Sequence, residues 1–157
     1  MEAIYENNEE MIADFGSPGF MPVISMTELY NSVYESKPPI VDGLLYPGTY
    51  LFVGSPKYGK SFLMLQLTYH ISAGLPIWGY AVRQGTVLYL SLEDDHPRLQ
   101  SRLYRMFKEE ASNNLFFSTW AKKLGEGFED QITAFVRKHP DTQLVVIDTL
   151  KRVRSVT

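Results

Sequence analysis

The stretch Gly54-Ser-Pro-Lys-Tyr-Gly-Lys-Ser61 fits G-x-x-x-x-G-K-[ST], and its flanks restrict the fold further. The apolar run Tyr50-Leu-Phe-Val53 precedes it, and the helical pattern Phe62-Leu-Met-Leu-Gln-Leu67 follows. Strand, glycine-containing loop and helix start, in that order, are what a phosphate-binding P-loop requires. Gly54 and Gly59 let the backbone curl so that several N–H groups converge on phosphate oxygens. The N-terminus of the helix beginning near Gly59 adds its partial positive charge. Lys60 is expected to reach the β- and γ-phosphates of a nucleotide such as ATP, and the Ser61 hydroxyl to ligate Mg²⁺. The expected binding set is Gly54, Ser55, Pro56, Lys57, Tyr58, Gly59, Lys60, Ser61 and Phe62. The competing reading is a glycine-containing turn with an incidental lysine, against which the strand–loop–helix setting counts.

Downstream, strand and helix patterns alternate. The turn Tyr46-Pro-Gly48 leads into a strand over 50–53, and the loop helix runs over 59–73 until Gly74 and Pro76 stop it. Residues 86–92, Thr-Val-Leu-Tyr-Leu-Ser-Leu, form a continuous apolar run typical of a strand covered on both faces. A helix over 97–110, a strand over 115–118, a helix over 128–138 and a strand over 143–147 follow. This rhythm predicts an α/β fold: a parallel sheet flanked by helices, with right-handed crossovers and the ligand at the carboxyl ends of the strands.

With 157 residues, 45% of them hydrophobic, there is enough chain for one core and too little for two. Residues 1–37 read as an acidic arm with one short helix, and 38–157 as the domain. The arm holds seven acids against Lys37, a charge of −6, which leaves +3 on the remainder of a chain whose net charge is −3. A mildly basic body suits a nucleotide and is no evidence for nucleic acid. The first two dozen residues read as a solvated, poorly ordered segment. Ser25-Met-Thr-Glu28 fits a capping box ahead of a helix over 28–35 that Lys37-Pro-Pro39 ends. No cysteine is present, so disulfides and cysteine metal sites are excluded. No apolar run has the length of a membrane span and no signal peptide is visible, so a cytoplasmic location with no membrane partner is expected.

Two acidic sites fall at strand ends. Leu144-Val-Val-Ile-Asp148 is the Walker B pattern, whose acid can hold Mg²⁺ through its water shell; by itself it equally describes a strand ending in a solvated aspartate. After Leu88-Tyr-Leu-Ser-Leu92 comes Glu93-Asp94-Asp95. Asp95 reads as a helix cap with Pro97 in the first turn. Glu93, the first residue past the strand, is placed to orient water as a general base. His70, His96 and His139 share no metal spacing. Trp78, Tyr80 and Trp120 read as packing or rim residues, and Arg98, Arg102 and Arg105 as a solvated helix face.

Taken together, Gly54–Ser61, Val87-Leu-Tyr-Leu-Ser-Leu-Glu-Asp94 with arginines soon after, and Leu144-Val-Val-Ile-Asp-Thr-Leu150 resemble the RecA-like ATPases. The likeness covers roughly residues 37–157 and is strongest to the RepA-type branch, the hexameric replicative helicases and related ATPases of plasmids and other mobile elements. The lead-in Pro39-Ile-Val-Asp-Gly-Leu-Leu-Tyr-Pro-Gly48 is also similar. The resemblance implies a RecA-like core, ATP and Mg²⁺ as cofactors, single-stranded DNA as a partner and a ring of several copies. It assigns water activation to Glu93, with Lys60 also in the catalytic set, and metal binding to Ser61 and Asp148. RecA-like cores order their strands 3-2-4-5-1, and this sequence stops at Thr157, just after the fourth. A core truncated there is expected to leave a gap of about 10 Å between the Walker B strand and the P-loop strand. The family's polar sensor, DNA-binding loops and arginine finger would then lie beyond residue 157. A P-loop kinase of a small molecule and a nucleotide-binding module without turnover remain as alternatives; the glutamate after the second strand and the lack of a basic lid segment count against the kinase.

Overall fold

A computed structural model describes residues 21, 23–33, 37–108 and 110–154, and the chain divides into two compact units, residues 1–36 and 37–157. In the first unit the capping box forms: Ser25 Oγ accepts from the Glu28 amide at 3.2 Å, and Glu28 Oε2 accepts from the Ser25 amide at 2.9 Å. Helix α1 spans Met26–Asn31. It starts two residues before the expected 28–35 because the cap residue is itself the boundary, and Ser32 ends it by donating to the Glu28 carbonyl at 2.6 Å. The expected solvated arm lies outside the described residues apart from 21 and 23–25.

The second unit holds α2 (Lys60–Ala73), β1 (Thr86–Ser91), α3 (His96–Phe107), β2 (Leu115–Ser118), α4 (Phe128–Lys138), β3 (Thr142–Asp148) and a 3₁₀ turn over Leu150–Arg152. The sheet is parallel, in the order β2-β1-β3. That is the 3-2-4 portion of the RecA-like order. Tyr89 of β1 stands opposite Phe117 on one side and Val146 on the other.

Every residue of β1 is buried, which the alternation of side chains explains. Val87 packs with Ile71 of α2, and Tyr89 with Leu65 of α2 and Leu99 of α3. Leu88 and Leu90 point the other way, against Phe128 of α4 and Val153. Both faces of the central strand are therefore covered, and each such side chain contributes roughly 1.5–3 kcal/mol by leaving water. The crossover through α3 moves one way on one face; that through α4 moves the other way on the opposite face, as crossovers of one hand require.

Two further departures from expectation matter for the site. Helix α3 stops at Phe107 rather than near 110, because Lys108 turns left-handed (φ 56°) while its amide still caps the Tyr104 carbonyl. The larger correction concerns residues 50–53: no strand forms there, and Leu51 and Val53 are 73% and 76% exposed. An extended apolar segment is stabilised as a strand only by a ladder partner and a covered face. Among the described residues no strand pairs with the side of β3 away from β1, so residues 50–53 have no ladder to join.

Candidate nucleotide site

The loop 54–59 curls through two left-handed residues, Lys57 (φ 68°) and Gly59 (φ 78°). Gly59 is the cap of α2 and offers no side chain to its amides, so the first N–H groups of a 14-residue helix are left facing the loop. Lys60 folds back across it: Nζ donates to the Gly54 and Ser55 carbonyls, each at 2.8 Å. A Cβ at Gly54 would lie 3.4 Å from Lys60 Cδ, an ordinary van der Waals distance, so the lysine stem passes directly over this glycine. Ser55, Pro56, Lys57 and Tyr58 form the exposed crest, and Ser61 and Phe62 begin the helix.

Asp148 ends β3 and Glu93 lies just past β1, both at the carboxyl edge of the sheet, where the strand pattern places them. Asp148 shares the face of Val146 and Tyr89, the face against which α2 packs. The Tyr89 hydroxyl donates to Asp148 Oδ2 at 2.7 Å, and among the described residues no donor reaches Oδ1. Burial, reinforced by the Asp148 carboxylate, pushes the Tyr89 phenol far above the ordinary tyrosine range, so it stays a donor. Glu93 Oε1 accepts from the Thr149 hydroxyl at 3.2 Å and lies 3.9 Å from Arg152 Nε, both side chains more than half exposed. So exposed a pair is weak and leaves Glu93 open to water.

Asp94 turns inward instead. Arg102 grips it with two hydrogen bonds, at 2.6 and 3.2 Å, the Ser91 hydroxyl adds a third at 3.2 Å, and the Arg102 guanidinium lies over the Phe62 ring at 5.4 Å. This chain of contacts ties the first turn of α2 to the acidic segment after β1. Arg102 is thus no member of a solvated face, whereas Arg98 and Arg105 are exposed. Asp95 caps α3 as read, accepting from the Arg98 amide at 2.8 Å. His139 ends α4 against Phe116 and Phe135, His70 lies 2.7 Å from the Pro76 carbonyl, and Trp78, Tyr80 and Trp120 are exposed.

The structure thus joins Lys60 to Gly54 and Ser55, and Glu93 to the residue after Asp148; among the described residues no hydrogen bond or ion pair links Lys60 or Ser61 to either acid. The residues fit a magnesium nucleotide: helix amides and an ammonium for phosphates, a hydroxyl at Ser61, and an Asp148 carboxylate with one oxygen spare. Sequence reasoning missed Tyr89, Arg102 and Thr149. Only cross-strand register would have pointed to Tyr89. The family model described as AAA domain matches residues 21–156. No curated protein and no solved structure matches the chain.

Proposed function

The chain belongs to the AAA domain family of P-loop ATPases, and on that premise we propose that it binds ATP with Mg²⁺ at residues 54–62 and hydrolyses it. The observation that carries this reading is the loop itself, where Lys60 Nζ lies over the Gly54 and Ser55 carbonyls at the start of α2. Lys60 supplies positive charge to the β- and γ-phosphates, and the amides of Gly59, Lys60 and Ser61 orient them. Ser61 and Asp148 would hold Mg²⁺, which when bound offsets phosphate charge. Glu93 accepts a proton from the water whose oxygen attacks the γ-phosphorus. The bond from that phosphorus to the β–γ bridging oxygen breaks, and ADP and phosphate result.

Glu93→Gln keeps the shape and removes the base. Calorimetry should find MgATP affinity nearly intact, while phosphate release falls by about 10²–10⁴. Full turnover by the variant would move the role to Asp94 or elsewhere. Wild-type chain that binds MgATP yet releases no phosphate fits the nucleotide-binding module.

The finer reading is a RepA-type replication ATPase working on single-stranded DNA as a ring of copies. One observation favours it: Lys123, Lys151, Arg152 and Arg154 line a cleft together with Glu93. Stimulation of phosphate release by single-stranded DNA, fading as salt rises, is the expected result, alongside a native mass of several copies. No stimulation at low salt would remove the DNA reading.

A further inference from the structure

Tyr89 is fully buried at the centre of the sheet, packed with Leu65, Leu99 and Val146, with the Phe117 ring 5.7 Å away. A phenylalanine would fill most of that space, and every other side chain in the cluster is apolar. The hydroxyl reaches out of this apolar packing and ends 2.7 Å from Asp148 Oδ2. Register explains how it arrives: Tyr89 pairs with Val146, and Asp148, two residues further, stands on the same face within diagonal reach of a long side chain. An ionised carboxylate has about four lone-pair positions and rotates freely unless something holds it. Here one oxygen is held from inside the core by a donor that cannot move without disturbing the packing.

We propose that Tyr89 is a positioning residue for the metal at Asp148: by fixing Oδ2 it directs Oδ1 toward the water shell of Mg²⁺. The inference rests on the magnesium-nucleotide reading of the site. Carboxylates that serve metals are commonly oriented by such a hydrogen bond, whose loss weakens metal affinity by about 10–100-fold. The competing explanation is a core tyrosine that uses the nearest acceptor to satisfy its hydroxyl. It predicts a change in stability alone.

The test compares ADP binding with Mg²⁺ and with EDTA in wild type, Tyr89→Phe and Asp148→Asn, and titrates Mn²⁺ into the ADP-loaded chains by electron paramagnetic resonance. Tyr89→Phe should leave affinity in EDTA unchanged and weaken Mn²⁺ binding about tenfold, less than Asp148→Asn does. Mn²⁺ affinity kept in Tyr89→Phe but lost in Asp148→Asn would overturn the role of Tyr89 and leave the site reading intact. Wild type with no metal-dependent gain would overturn the site reading, and this inference with it. Should Tyr89→Phe fail to fold, 3-fluorotyrosine placed at position 89 provides a second readout. Its fluorine resonance should shift when Mg²⁺ reaches the ADP-loaded chain and stay still in Asp148→Asn; a wild-type resonance that does not move overturns the proposal.

Discussion

Strand β1 and residues 50–53 are both short apolar runs that lead into a loop at a helix start, yet the first is buried throughout and the second exposed throughout. Thr86–Ser91 has β2 on one edge, β3 on the other, and helices over both faces. Residues 50–53 have no ladder partner among the described residues. Composition supplies the capacity for a strand, and neighbours decide whether the capacity is used. The P-loop shows how little this costs the site locally: Lys60 still closes over Gly54 and Ser55, because those contacts span only five or six residues of sequence.

The comparison breaks most visibly under truncation of leucines. Leu90→Ala in β1 should cost about 2–5 kcal/mol in urea unfolding, since its neighbours Phe128 and Val153 cannot follow it inward. Leu51→Ala should stay within about 0.5 kcal/mol. Equal losses would mean that residues 50–53 pack against something in solution. Hydrogen exchange sharpens the same contrast. The Val87, Leu88, Tyr89 and Leu90 amides should be protected to near the global unfolding energy, whereas those of residues 51–53 exchange nearly as in an open chain.

A smaller effect is expected where the acidic segment is tied to α2. Arg102→Ala leaves Asp94 largely buried with only the Ser91 hydroxyl, and should cost about 1–3 kcal/mol, read by thermal melting. Exposed Arg98→Ala should do almost nothing. Smallest is the alkaline response. Tyrosine in the unfolded chain ionises near pH 10, while folded Tyr89 holds its proton beyond that. Its contribution to stability is therefore complete below about pH 10 and is lost as pH rises above it. The denaturation midpoint of Tyr89→Phe should fall less between pH 9 and 11 than that of wild type.

Much of this was legible in the sequence, for reasons that particular residues make plain. The run 86–92 announced a strand covered on both faces, Asp95 with Pro97 marked the start of α3, and Gly74 the end of α2. These signals are local. The unreadable features are those that depend on which strand lies beside which: residues 50–53 without a ladder, Asp94 gripped by Arg102 from the following helix, and Tyr89 reaching Asp148 across 59 residues. An apolar pattern hides a hydroxyl at its centre, and an arginine recurring at helical spacing does not disclose which acid it meets.

The central claim is that residues 54–62 hold the phosphates of ATP, and calorimetric titration of MgATP into wild type and Lys60→Ala tests it most directly. Loss of a charge-assisted contact worth about 1.5–3 kcal/mol predicts affinity at least about tenfold weaker in the variant. A folded Lys60→Ala chain that binds MgATP as tightly as wild type would contradict it.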